Sequence, residues 1–260
     1  MTLNVCAIFR NEALYLREWI EFHRLVGVDK FFLYHNRSAD NWQTILQPYI
    51  ASGVVEITEW PHLPPCQVNA YQDCINKRHG QDEWMAFIDC DEFLWSPRFS
   101  TLPEALATFP SSWGAVGVNW MCFGSGGQAE WEDRLVLERF IWRPAEQGFF
   151  NRHIKSIVRM DQVVNNSGDP HFFYAERGTF NEVGEPITYA ESRQQSQILR
   201  INHYCTKSRQ EWLTRNLSGK PDRNGENFVG DENIYNVFQP QDVEDHEIQR
   251  YLPVLKERCA

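Results

Sequence analysis

Short apolar runs, each followed by a polar break and then by apolar positions at helical spacing, succeed one another through the first ninety or so residues. Residues 3–9 form the first run, continuous enough for a strand buried on both faces, and Arg10-Asn11-Glu12 breaks it. Leu16, Trp19, Ile20 and His23 then recur at helical spacing over residues 12–26, with Gly27 placed to end the helix. Residues 31–34 predict a second strand, and a short helix stopping near Pro48 and Tyr49 follows the polar stretch 36–40. Residues 54–59 alternate as a third strand, 67–79 read as a helix closed by Gly80, and residues 84–88 make a fourth apolar run. Strands alternating with helices in this way predict a parallel sheet covered on both faces.

Farther along, residues 101–109 predict a helix with Pro103 near its start, and 115–120 a strand. Phe123-Gly124-Ser125-Gly126-Gly127 reads as a mobile loop. Residues 135–140 and 155–160 have the pattern of antiparallel additions, and 199–204 that of a strand ending in Asn202-His203-Tyr204. Ser208 and Glu211 have capping-box spacing and start the next helix, and residues 241–255 close the chain as another. The expected division is one α/β domain over 1–220, with a C-terminal loop and helix over 221–260 packed on it.

The fourth run ends in Asp89-Cys90-Asp91-Glu92. Ligands of open α/β sheets bind at the carboxyl ends of the strands. Asp89 and Asp91 are two apart, so in an extended segment both carboxylates face one side and could share a hard cation such as Mn²⁺ or Mg²⁺. Two carboxylates leave that shell to be completed by substrate phosphates, which points to a nucleotide diphosphate. The plainer alternative has Asp89 capping a turn, with Asp91 and Glu92 in solvent.

Composition narrows the classes. A formal net charge of -10 with no basic run argues against a nucleic-acid groove. The 10 Trp and 17 Phe are many for this length; core filling accounts for most of them, and some are expected to line a cleft for sugars or bases. Seven scattered cysteines lack zinc or redox spacing, and no stretch has the length of a leader or a membrane span, so a cytoplasmic protein is expected, with membrane association only through a partner. No Gly-x-Gly-x-x-Gly follows the first strand, so a dinucleotide fingerprint is absent.

Arg10-Asn11-Glu12, the helix from Leu16 to His23 with Gly27-Val28, and the stretch from Phe87 to Phe93 together resemble the glycosyltransferase family 92 domain. So do Val118-Asn119-Trp120, Phe123-Gly124-Ser125, Lys155 to Val158, His171-Phe172, Ile201 to Tyr204 and Lys207-Ser208, in the same order. The resemblance implies a GT-A (Rossmann-like) fold, mostly parallel with a smaller antiparallel addition. It also implies metal-dependent, inverting transfer from a nucleotide sugar, a UDP-sugar such as UDP-galactose being favoured, to a glycan or glycolipid. By the same resemblance Asp89 and Asp91 hold the metal, His203 adds a third ligand, and Arg10, Asn11 and Glu12 meet the donor. Eukaryotic members carry an anchor and stem ahead of this domain, whereas this sequence opens directly on the first strand.

The acceptor hydroxyl needs a carboxylate base, and Glu130, Asp133 and Glu138 are candidates among the acids after the glycine-rich loop, Asp133 being preferred because Glu138 has Arg134 and Arg139 for partners. Trp120 and Phe123 are candidates for a sugar platform, and Lys155 and His153 for diphosphate or acceptor contacts. Two rival readings stand beside this one. A nucleotidyltransferase would show a glycine-rich basic loop where Arg10-Asn11-Glu12 stands, and a carbohydrate-binding protein would keep the fold without the chemistry.

Overall fold

The structure, a computed structural model, describes all residues except 82–83, 146–148, 194 and 219–231, with the backbone alone at 149, 216–218 and 234. The first half runs β1 (Leu3–Phe9), α1 (Ala13–Leu25), β2 (Lys30–His35), α2 (Trp42–Ala51), β3 (Val55–Glu59), α3 (Cys66–Arg78), β4 (Trp84–Phe87), β5 (Glu92–Trp95), α4 (Leu102–Leu106) and β6 (Ala115–Cys122). Then come α5 (Val136–Arg139), β7 (Trp142–Arg143), β8 (Ile154–Arg159), β9 (Val163–Asn165), β10 (Tyr174–Ala175), β11 (Thr179–Phe180) and β12 (Pro186–Ile187). The chain closes with β13 (Arg200–His203), α6 (Arg209–Ser218), α7 (Glu232–Val237), β14 (Val243–Glu244) and α8 (Leu252–Cys259).

The central sheet has the order β12-β11-β6-β8-β4-β1-β2-β3, with β13 and β5 branching from β6. β3, β2, β1 and β4 are parallel, and β8 enters antiparallel between β4 and β6. This is the expected mostly parallel sheet with a smaller antiparallel addition. β1 has no polar face because both sides are covered. Val5, Ala7 and Phe9 join the core that holds Leu16, Trp19 and Ile20 of α1, while Cys6 and Ile8 join the core that holds Ala70, Tyr71 and Cys74 of α3. The capping box of Ser208 and Glu211 forms as expected, with each side chain accepting the other's backbone N–H.

Several local expectations are corrected. Residues 136–139 form a helical turn rather than a strand, because the buried Glu18 carboxylate of α1 accepts the Val136 and Leu137 N–H groups at 2.8 and 3.1 Å. α2 runs through Pro48 to Ala51, since buried Leu46 and Tyr49 hold it to the core. The C-terminal stretch is no single helix. Asp245 is drawn to Arg143 and Arg200, β14 pairs with β7, and α8 starts only at Leu252, with Pro253 in its first turn. The expected domain boundary at 220/221 lies outside the described residues. Nor is the glycine-rich loop free: a Cβ on Gly124 would stand 1.8 Å from the Phe238 carbonyl oxygen, and Ser125 Oγ donates to Gln239 at 2.5 Å.

Candidate active site

The chain turns sharply where β4 leaves the sheet. Glu92 N–H donates to the Asp89 carbonyl at 3.1 Å, making a tight turn with Cys90 and Asp91 at its centre. The segment is therefore not extended, and the two aspartates diverge instead of facing one side. Asp89 accepts from Lys155 Nζ at 3.0 Å and from Gln67 Nε2 at 2.5 Å. Asp91 accepts from Arg215 Nη1, and its Oδ2 lies 3.6 Å from His203 Nε2. Glu92 is fully buried and accepts the Asp89 N–H at 2.9 Å, which excludes the alternative of a solvated acid.

Charge and burial oppose one another throughout this cluster. Burial pushes the Asp91 carboxyl up, yet Arg215 and His203 together hold it well below the ordinary carboxylate value. At Asp89 burial is likewise outweighed, chiefly by the Lys155 ammonium. His203 goes the other way: burial pulls it below its ordinary value against the pull of Asp91, so its ring is neutral at neutral pH.

A cavity of about 630 Å³ opens beside this cluster, between the loop after β1, the loop after β2, and the segment joining β13 to α6. Arg10, Lys207 and Arg215 all line it. Arg10 Nε is buried without a hydrogen-bond partner. Lys207 is 4% exposed, with Nζ 4.0 Å from the Tyr15 ring centroid, and no described carboxylate lies within ion-pair distance of it. Three of the four described non-glycine residues with left-handed backbone sit on these loops: Asn11 (φ 56°), Arg37 (φ 53°) and Lys207 (φ 52°). Such strain concentrates where side chains are held for function.

A divalent cation fits this site in part. Among the described residues no three His, Cys, Asp or Glu side chains converge on one point. Asp91 nonetheless keeps Oδ1, a buried oxygen with no hydrogen-bond partner, on the carboxylate whose Oδ2 is bonded to Arg215 and lies 3.6 Å from the neutral His203 imidazole. Asp89 is committed to Lys155 and Gln67, so the fit is two protein ligands with substrate oxygens completing the shell.

Other sequence-predicted residues fall in different places. Asn11 ties the first two loops together, donating its N–H to Ser38 Oγ and accepting from Ala39 N–H. Glu12 lines the cavity, 3.7 Å from Arg215 Nε. Trp120 is 9% exposed, stacked on His153 and tilted over His203, and Phe123 is buried, so neither offers an open sugar platform. Lys155 is a buried counter-ion. Asp133 and Glu138 line a separate cavity of about 480 Å³, where Glu138 is paired with Arg134 and Lys256. Glu130 is exposed and lines neither cavity.

Residues 1–245 match the profile described as Glycosyltransferase family 92. The chain belongs to glycosyltransferase family 92. A family 92 protein of Oryza sativa subsp. japonica is 33% identical over 207 residues, covering 77% of this chain and 32% of the rice protein. A galactan beta-1,4-galactosyltransferase of Arabidopsis thaliana is 22% identical over 204 residues, 73% of this chain and 38% of that protein. This family 92 chain thus spans about a third of the length of the curated relatives it matches. Among solved structures, S. aureus TarS 1-349 overlaps 62% of the chain and 47% of its own at 12% identity, with a TM-score of 0.42. Sequence reasoning about the family 92 site missed Arg215, which nothing in the local pattern of α6 marks. It noted Lys207 only as part of the resemblance, although a lysine just past a buried strand end was a usable signal.

Proposed function

We propose that the protein transfers a sugar, with inversion, from a nucleotide-diphosphate donor to a glycan, a UDP-sugar being the favoured donor and UDP-galactose the first to test. The observation that carries this reading is the convergence of Arg10, Lys207 and Arg215 on one cavity beside Asp91 and His203. Three cations, one with an unpartnered Nε and one without an acid partner among the described residues, suit the charge that develops on a departing diphosphate. Asp91 and His203 would hold the divalent ion, which when bound supplies Lewis-acid neutralisation of the diphosphate. The name of the Arabidopsis relative supports galactose as the transferred sugar.

In the reaction the acceptor hydroxyl oxygen forms the new bond to the anomeric carbon as the carbon–oxygen bond to the diphosphate breaks. The hydroxyl proton passes to a carboxylate, and the bonding electrons leave with the nucleotide diphosphate. Asp133 is proposed as that base. Of the three acids considered it combines a place on a cavity wall with a carboxylate bonded to no described residue, whereas Glu138 is held below its ordinary value by Lys256 and Arg134. The neutralisation of both aspartates by internal cations, Lys155 and Arg215, favours one second reading, a carbohydrate-binding protein without catalysis.

The test is release of UDP from UDP-galactose, with and without a galacto-oligosaccharide, in Mn²⁺ and then in chelator. Release that needs Mn²⁺ and falls about a hundredfold or more in Asp133→Asn, with donor binding retained, supports the proposal. Normal turnover in Asp133→Asn removes that residue from the role. No release under any condition points to the second reading.

A further inference from the structure

The second cavity is not separate from the first in one respect: Ala13, Leu14, Tyr15, Asn41 and Trp131 line both. The two therefore adjoin along these residues, the second lying away from the cationic end. Trp131 stands at the junction, 41% exposed, and Leu14 beside it is 70% exposed. An indole left this open on a loop would ordinarily be mobile, but here its backbone is fixed. Trp131 N–H donates to Gln210 Oε1 at 2.7 Å, and the Arg209 and Gln210 N–H groups donate to the carbonyls of Gln128 and Ala129. The loop is thus strapped to the first turn of α6, and the ring is presented rather than packed.

Charge along the far wall is balanced. Glu18, Asp133 and Glu138 stand against Arg17, Arg134 and Lys256, and Glu138 is already paired with two of the bases. A polyanion or polycation would find no field to favour it. What suits a rigid aromatic face beside amide, carboxylate and guanidinium groups is a neutral molecule with flat C–H faces and many hydroxyls.

We propose that the two cavities act as one trough, the acceptor site, and that it binds a neutral oligosaccharide, the ring that receives sugar stacking on Trp131 at the junction, between the cationic end and Asp133, while the rest of the chain runs past Leu14. The proposal rests on the transferase reading for the direction of the reaction, since the ring nearest the cationic end is the one that receives sugar. It does not rest on it for binding, which the trough provides with no donor present. Asp133, two residues beyond the stacking tryptophan, is then on the acceptor's path.

The experiment is calorimetric titration of the protein, without nucleotide or metal, with β-1,4-galactotetraose, free galactose and tetragalacturonic acid. Galactotetraose is expected to bind more tightly than either of the others. Trp131→Ala should weaken it about tenfold, Trp131→Phe should keep most of the affinity, and Tyr189→Ala, at an exposed residue lining neither cavity, should leave it unchanged. No binding of galactotetraose by the wild type, equal binding by Trp131→Ala, or tighter binding of the charged tetramer would each overturn the proposal. A donor-induced rise in melting temperature, measured on the same variants with UDP-galactose and Mn²⁺, reports on the transferase reading alone and so separates the two.

Discussion

Lys207 combines two features that conflict in an ordinary residue: a left-handed backbone, which costs a non-glycine side chain about 1 kcal/mol, and a nearly buried ammonium with an aromatic ring as its neighbour. A cation kept under such conditions is expected to serve a ligand. The backbone strain and the ligand role can be separated by substitution. Lys207→Gly should be more stable than Lys207→Ala by about 1 kcal/mol in chemical denaturation, because glycine alone accepts the left-handed conformation freely. Both variants should bind UDP about tenfold more weakly than the wild type. Equal stability of the two variants would remove the strain argument, and unaltered UDP affinity would remove Lys207 from the donor site. Asp91 illustrates what sequence could and could not disclose at this scale. Its place at the end of a buried strand was legible, but its partners Arg215 and His203 arrive from segments more than a hundred residues away, and no spacing rule reaches that far.

Between elements, the contact of α1 with α5 shows why short segments resist reading. Residues 136–139 carry apolar positions that suit a strand as well as a helix, and the choice is made by Glu18, whose two oxygens accept the first N–H groups of α5. Long apolar runs such as β1 declare themselves because both faces are covered along their whole length, whereas a four-residue turn depends on one tertiary partner. Glu18 also makes this junction sensitive to pH. Burial pushes its carboxyl up to about 7 from an ordinary 4.5, with the two amides opposing the rise. Between those values the folded state holds a proton that the unfolded chain releases, so this group's contribution falls as pH rises through the window and is constant above it. Glu18→Gln cannot titrate. Denaturation midpoints measured from pH 5 to pH 7.5 should therefore fall less steeply in Glu18→Gln than in the wild type, and parallel slopes would show that Glu18 ionises freely in the fold.

At the scale of the whole molecule, the parallel half of the sheet delivers the loops after β1 and β2, and the branch through β13 and α6 brings Lys207 and Arg215 to meet them. The sequence made the first part legible, because its strands and helices alternate along the chain. It concealed the second, because β13 pairs in parallel with β6 and antiparallel with β5, neither of which adjoins it in the chain. No described helix is long and apolar enough to cross a membrane, and all seven cysteines are free thiols. The claim on which this assembly stands is that Asp91 and the surrounding cations hold a nucleotide's diphosphate together with a divalent ion. Titration of UDP into the protein with and without Mn²⁺, in the wild type and in folded Asp91→Asn, tests it most directly. Mn²⁺ is predicted to tighten UDP binding at least about tenfold in the wild type and to have no effect in Asp91→Asn. UDP affinity indifferent to both the metal and the substitution would contradict it.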